Sequence, residues 1–122
     1  MSGQAFDDIV SVLGEYFDGL HHSDTSRLQR VFHPQAHYCC ATDGHLVMLD
    51  MAQYFPMVDQ RPSPASQGHQ RTDRILGIEL AGPVTAFAKV ECSIPAKQFT
   101  DFLTLVKLEG RWQIVAKVFH YL

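Results

Sequence analysis

Apolar residues recur every three or four positions near the start of the chain, at Phe6, Ile9, Val10, Leu13, Phe17 and Leu20. That spacing is the apolar face of an α-helix. Gly19 weakens its last turn, and His21-His22 close it where imidazole suits the negative end of the helix dipole. Ser23-Asp24 supply the N-cap of a second, short helix with Leu28, Val31 and Phe32 on one side, and Pro34 ends it.

The period then changes to two. The stretch "HYCCATDGHLVML" predicts a hairpin about Asp43-Gly44. Pairing Thr42 with His45 sets Cys40 opposite Val47 and Tyr38 opposite Leu49, so these four share a face. Asp50 is placed to cap a third helix through Met51, Tyr54 and Phe55, with Pro56 limiting or kinking it. "RPSPASQGHQ", residues 61–70, is a loop. Beyond it Arg71–Leu80 alternates, with Leu76, Ile78 and Leu80 on one face. After the turn at Ala81-Gly82-Pro83, Val84, Ala86, Ala88 and Val90 share a face.

The last two strands, about 98–108 and 111–121, join through Glu109-Gly110. Pairing Leu108 with Arg111 groups Leu103 and Leu105 with Trp112, Ile114, Ala116 and Val118. A slip of one residue would put Thr100, Phe102 and Thr104 in that row, so the first register makes the better core face. On it Asp101 faces Val118, Phe99 faces His120, and Asp101 and His120 are diagonal neighbours on the apolar face. The opposite face holds Phe102, Thr104, Gln113, Val115, Lys117, Phe119 and Tyr121, apolar enough to meet another surface. Helices gathered on one face of a curved antiparallel sheet make an α+β fold.

Composition narrows the partners. The chain of 122 residues fits a single domain, residues 1–122, and 46% hydrophobic against 19% charged residues is a globular balance. A formal net charge of −3 without a basic cluster speaks against nucleic acid or an anionic membrane surface. No apolar run approaches a membrane span, and "MSGQAFDD" has no leader pattern. The three cysteines, Cys39, Cys40 and Cys92, are odd in number and form no C-x-x-C, so free thiols in a reducing, cytoplasmic compartment are expected.

Two segments, "EYFDGLHHSDTSRLQRVFHPQAHY" and "FTDFLTLVKLEGRWQIVAKVFH", resemble the NTF2-like superfamily, the fold of nuclear transport factor 2, the ketosteroid isomerases and the SnoaL-like polyketide cyclases. The closing hairpin with Gly-x-Trp-x-Ile is most similar to the bacterial putative lumazine-binding group, and the resemblance covers roughly residues 5–121. It implies an NTF2-like (cystatin-like) α+β cone, a curved mixed or antiparallel sheet wrapped around the N-terminal helices with an internal apolar pocket. It also implies a homodimer through the open sheet face. Ketosteroid isomerases carry a tyrosine on the first helix, an acid on the first strand and a second acid on a late strand. Tyr16 matches the first of these positions, Cys40 stands at the second, and Asp101 lies about two residues from the third, near Leu103.

The candidate catalytic group is Asp101 with His120, assisted by Tyr16. A carboxylate beside an imidazole on an apolar face either acts as an acid/base pair, or Asp101 only orients His120 in a polar core contact. Tyr16, one position off the stripe from Leu13 to Phe17, either donates to a ligand carbonyl or sits at the core edge. Cys40 lacks an adjacent base and reads as an inert buried thiol lining the pocket. Tyr38, Tyr54, Phe55, Phe87, Phe99 and Trp112 can stack on a planar ligand or simply fill the core. Arg74 shares parity with Leu76 and Ile78 and can pair with an anionic ligand, with Asp101 or with a rim carboxylate. The seven histidines form no acid–histidine cluster, since Pro34 breaks the helical spacing of His33 and His37; neither a metal nor another cofactor is expected. The expected function is therefore binding of a small, largely apolar or aromatic molecule without turnover. The alternatives are an isomerase, cyclase or hydratase working through Asp101 and His120, and a dimeric interaction scaffold.

Overall fold

The structure, a computed structural model, describes residues 2–122. The elements run α1 (Ser2–His22), α2 (Thr25–Val31), β1 (Phe32–Cys40), β2 (Val47–Asp50) and α3 (Met51–Gln60). A single 3-10 turn (Ala65–Gln67) follows, then β3 (Arg74–Leu80), β4 (Thr85–Ile94), β5 (Lys97–Leu108) and β6 (Arg111–Tyr121). The six strands lie in the order β2-β1-β6-β5-β4-β3. β1 runs parallel to β6, while every other neighbouring pair is antiparallel. This mixed sheet, with helices packed on one face, is the α+β cone expected of the NTF2-like superfamily.

The core lies between α1 and the inner face of the sheet. Ile9, Leu13, Tyr16, Phe17 and Leu20 of α1 join Ala86, Ala88, Val90, Leu103, Leu105, Trp112 and Ile114 in one buried cluster. The buried stripe of α1 differs from the expected one. Phe6 and Val10 are exposed, and Tyr16, assigned to the edge of the stripe, is fully buried. Leu13, Tyr16, Phe17 and Leu20 keep the three-and-four spacing, so burial follows the period rather than the apolarity of each residue.

Local chemistry explains the helix ends. The Asp24 carboxylate accepts from the backbone N–H groups of Ser26 and Arg27. Asp50 and Gln53 form a reciprocal capping box at the start of α3. α2 stops at Val31, and Phe32 is already extended at φ −93°, ψ 136°, so Phe32 opens β1 instead of closing the helix. The turn between β1 and β2 is looser than a two-residue hairpin. Pairing ends at Cys40 with Val47, in the expected register, and Gly44 at φ 90° donates its N–H to the Ala41 carbonyl at 3.1 Å. The β5–β6 turn is tight: Glu109 and Gly110 take φ of 51° and 77°, the twist-matched geometry of a two-residue hairpin.

Two strands depart from simple alternation. In β3, Ile75 pairs with Val90 and Gly77 with Lys89, which leaves Leu76 as an extra residue. Ile75, Ile78 and Leu80 therefore pack on the core and Leu76 is exposed. In β6, Leu105 pairs with Ile114 but Thr104 pairs with Ala116, so Val115 is the extra residue. Such a bulge turns every later side chain to the other face of the sheet.

No helix among the described residues is long and apolar enough to cross a membrane. Removing the α3 cap should be visible in stability. Asp50→Ala is expected to lower the unfolding free energy by about 1 kcal/mol, read as a lower urea midpoint with an unchanged denaturant slope. An unchanged midpoint would show that the box contributes nothing.

Candidate functional site

Residues from four elements meet inside the cone. β5 supplies Asp101, which alternates with Leu103 and Leu105 on the inner face and is fully buried. α1 supplies Tyr16, whose hydroxyl donates to Asp101 Oδ2 at 2.6 Å. The other carboxylate oxygen, Oδ1, is buried without a hydrogen-bond partner among the described residues. β6 supplies Lys117 and α3 supplies Tyr54, which lie 3.5 Å apart from Nζ to the phenolic oxygen.

Lys117 reaches the interior because of the Val115 bulge. Beyond it, Asp101 pairs with Phe119 and Leu103 with Lys117. Lys117 is thus the inward diagonal neighbour of Asp101. His120 pairs with Thr100 on the outer face, where it is exposed and its Nδ1 lies 3.0 Å from the Thr42 hydroxyl. The acid/base pair of Asp101 with His120 is therefore not formed. Phe119 likewise turns inward, whereas Val118, expected on the core face, turns out to solvent.

Lys117 is only 5% exposed. It sits over the rings of Tyr16, Phe119, Tyr54 and Tyr38 at 5.2, 5.3, 5.4 and 5.6 Å from their centroids. Each ring face presents negative quadrupole to the cation. Tyr38 and Tyr54 are themselves stacked, with centroids 4.5 Å apart. Burial alone would lower the Lys117 pKa. The Tyr54, Asp101, Cys92 and Tyr38 groups around it outweigh that and raise it, so the amine is held as an ammonium ion. Tyr16 is raised well above the usual phenol range, first by burial and then by the Asp101 charge. Cys92, buried on β4, is pushed up to about 12, again by burial first and Asp101 second.

The remaining candidates divide by position. Cys40 is buried beside this cluster's edge on β1, and Phe99 packs against Phe119 and Tyr121 with centroids 5.9 and 5.6 Å away. Trp112 lies in the core, its indole N–H buried without a partner among the described residues. Phe55 packs on Phe32 at 6.2 Å, and both line an outer groove of about 500 Å³ between α2, β1 and α3. Phe32 also meets Tyr16 edge-on at 5.9 Å. Arg74 does not enter the interior. It is exposed and pairs with Glu91 across the β3–β4 edge at 2.9 Å, because the Leu76 bulge breaks the parity that linked it to Ile78. Among the described residues, no three His, Cys, Asp or Glu side chains gather as a metal site would require.

Sequence periodicity missed Lys117, which strict alternation puts on the outer face. The available signal was a lone lysine in "IVAKVF", apolar on both parities, where neither face offers it an ordinary solvated place.

The curved mixed sheet, the enclosed helix and the polar cluster on the sheet's inner face define an NTF2-like cone. The chain belongs to the putative lumazine-binding family, whose model it matches over residues 4–120. It is 30% identical over 122 residues to "Aldolase FrzH" of Cladobotryum sp., covering 98% of this chain and 94% of that protein. Among solved structures, an NTF2-like protein of unknown function from Silicibacter pomeroyi superposes with a TM-score of 0.89 at 21% identity, covering 100% of this chain and 99% of the other. One from Shewanella baltica, also of unknown function, gives 0.87 at 28% identity, covering 100% and 97%.

Two outcomes test the cluster. Tyr16→Phe leaves Asp101 without its donor and is expected to cost about 1–3 kcal/mol, whereas in an Asp101→Leu background it should cost almost nothing. Equal losses in both backgrounds would mean that the hydrogen bond is not what Tyr16 contributes. The second concerns pH. Cys92 and Tyr16 hold their protons more tightly folded than unfolded. Their contribution is complete below the unfolded values, 9.0 and 10.0, and is lost as pH rises through them toward the raised folded values. Urea melts should show stability falling as pH rises above about 9, with Cys92→Ala flattening the first part of that slope.

Proposed function

We propose that the protein is a small acid/base enzyme that removes a proton next to a carbonyl group, the enolisation step of an aldol-type reaction or an isomerisation. The observation that carries this reading is the free, buried Oδ1 of Asp101. One carboxylate oxygen is fixed by the Tyr16 hydroxyl, which orients the other as a base in a site of low dielectric. The Lys117 ammonium faces the same interior and is suited to stabilise the negative oxygen of an enolate. Because it is held charged, it acts as a cation and not as an amine nucleophile. The 30% identity with a protein named as an aldolase supports the same class of reaction. The substrate is a small, largely apolar or aromatic carbonyl compound, matching the aromatic walls of Tyr38, Tyr54 and Phe119. The working pair is Asp101 with Lys117 and Tyr16, in place of Asp101 with His120.

The family's description favours a second reading, a binding domain without turnover. Deuterium exchange separates the two. Cyclohexanone, phenylacetone and phenylpyruvate are incubated with the protein in heavy water and followed by proton NMR. Exchange at the α-carbon of at least one probe is expected above the buffer rate, with Asp101→Asn slowing it by about 10²–10⁴-fold. No enhancement for any probe, or an unaltered rate in Asp101→Asn, sinks the enzyme reading. Borohydride added with the probes should leave the protein's mass unchanged, since no imine forms on Lys117.

A homodimer through the outer sheet face and a cytoplasmic, reducing setting complete the proposal. Exposed Phe102 and Val118 on that face support the first, and three buried free cysteines support the second. Sedimentation should give a dimer that Phe102→Lys converts to monomer; a monomeric wild type would remove the interface.

A further inference from the structure

Asp101 and Tyr16 are fully buried and Lys117 nearly so. A ligand reaches them only if part of their cover moves. The helices are poorly suited to that, since α1 buries a stripe from Ile9 to Leu20 and α3 one from Met51 to Val58. The strands are held by their ladders. The segment between α3 and β3 has neither restraint.

Residues 62–73 bury one residue, Pro64. Their backbone hydrogen bonds all stay within the segment: Gln67 donates to Ser63 and Pro64, Gly68 to Ala65 and His69 to Pro64. Two side-chain hydrogen bonds tie it to the rest of the described residues. Arg71 donates to Asp18 on α1 at 2.6 Å, and the Thr72 hydroxyl meets that of Ser93 on β4. Asp73 holds the Arg71 guanidinium from within the segment at 2.9 Å. A stretch with so little buried apolar surface and no ladder belongs to the part of a fold that opens at least cost.

The segment closes over the Asp101 side of the interior. Pro64, Arg71 and Thr72 line, with Phe17 and Cys92, a void of about 10 Å³, room for a single water molecule. Cys92 pairs with Phe99 and Val90 with Asp101, and Val90, Cys92 and Asp101 are all buried. Cys92 is thus the inward diagonal neighbour of Asp101 across the β4–β5 ladder. It meets the segment on one side and the carboxylate on the other, and its thiol is raised by burial first and the Asp101 charge second.

We propose that residues 62–73 are a strap that opens to admit a ligand to the Asp101 interior and is latched shut by Arg71 on Asp18. What is admitted rests on the enolisation reading; the opening does not depend on turnover. The latch is a part-exposed ion pair, so added salt weakens it.

The native cysteines report the opening. The folded protein is alkylated with iodoacetamide at fixed pH, and each site is followed by peptide mass spectrometry. Cys92 lies under the strap, Cys40 ends β1 before the turn to β2, and Cys39 pairs with Val118 on the outer face. Arg71→Gln is expected to speed alkylation of Cys92 about two- to fivefold, the scale of a part-exposed ion pair, with Cys39 and Cys40 at their wild-type rates. Salt should speed Cys92 in the wild type and not in Arg71→Gln. Arg74→Gln, which breaks the exposed pair with Glu91, should change none of the three. The proposal is overturned if Cys92 keeps its rate in Arg71→Gln, if Cys40 accelerates instead, which would put the opening at the β1–β2 turn, or if all three accelerate together, which is global unfolding. Absent deuterium exchange would remove the enolisation reading and leave these rates, and the strap, untouched.

Discussion

One extra residue in β6 sets the chemistry of the interior. A regular strand from Arg111 to Tyr121 would turn Ala116 and Val118 inward and leave Lys117 in solvent. The bulge at Val115 reverses this beyond Ile114. It exchanges a valine and an alanine for a lysine and a phenylalanine on the inner face, and it sends His120 out. Before the bulge, the strand keeps Trp112 and Ile114 in the core. A single strand therefore builds a dry core at one end and a charged cluster at the other. Bulges commonly re-aim side chains beside functional sites for this reason.

The cluster is difficult to explain as stabilisation. Burying Asp101 and Lys117 removes both from water, and a buried ion pair is often no more stable than apolar residues of equal volume. The surroundings limit the penalty rather than remove it. Tyr16 gives the carboxylate one strong hydrogen bond, and four aromatic rings surround the ammonium. Yet Asp101 Oδ1 remains without a partner among the described residues. Groups held unsatisfied in a folded interior are what a site for a polar ligand requires, since the ligand supplies the missing partners on binding.

Much of the fold was legible because local chemistry specifies it. The helix period, the Asp50 cap, the pairing of Tyr38 with Leu49 and the Leu108–Arg111 register all depend on residues within a few positions of one another, and the structure agrees with each. Asp101 and Tyr16 were identifiable as a polar residue on an apolar face and a helix position matching a known pattern. The rest was hidden for one physical reason. Val115 and Leu76 carry no turn chemistry, no glycine and no proline, so nothing local distinguishes a bulged residue from a paired one. The parity error then propagates to every later residue, which misplaced His120, Lys117 and Arg74 together.

The four polar groups of the interior come from four separate elements: Tyr16 from α1, Tyr54 from α3, Asp101 from β5 and Lys117 from β6. None forms its environment locally, so the cluster exists only in the folded cone. The positions also divide the labour among them. Asp101 and Lys117 are held on neighbouring strands of one hydrogen-bonded sheet, where the ladder fixes their separation. Tyr16 and Tyr54 come from helices packed onto that sheet, where a small shift in packing changes their reach. A reaction needs its base and its electrostatic partner at fixed distance, whereas recognition of a ligand's far end tolerates adjustment. The rigid pair is thus the one suited to the proton transfer, and the helix-borne phenols are the ones suited to adjusting to what is bound.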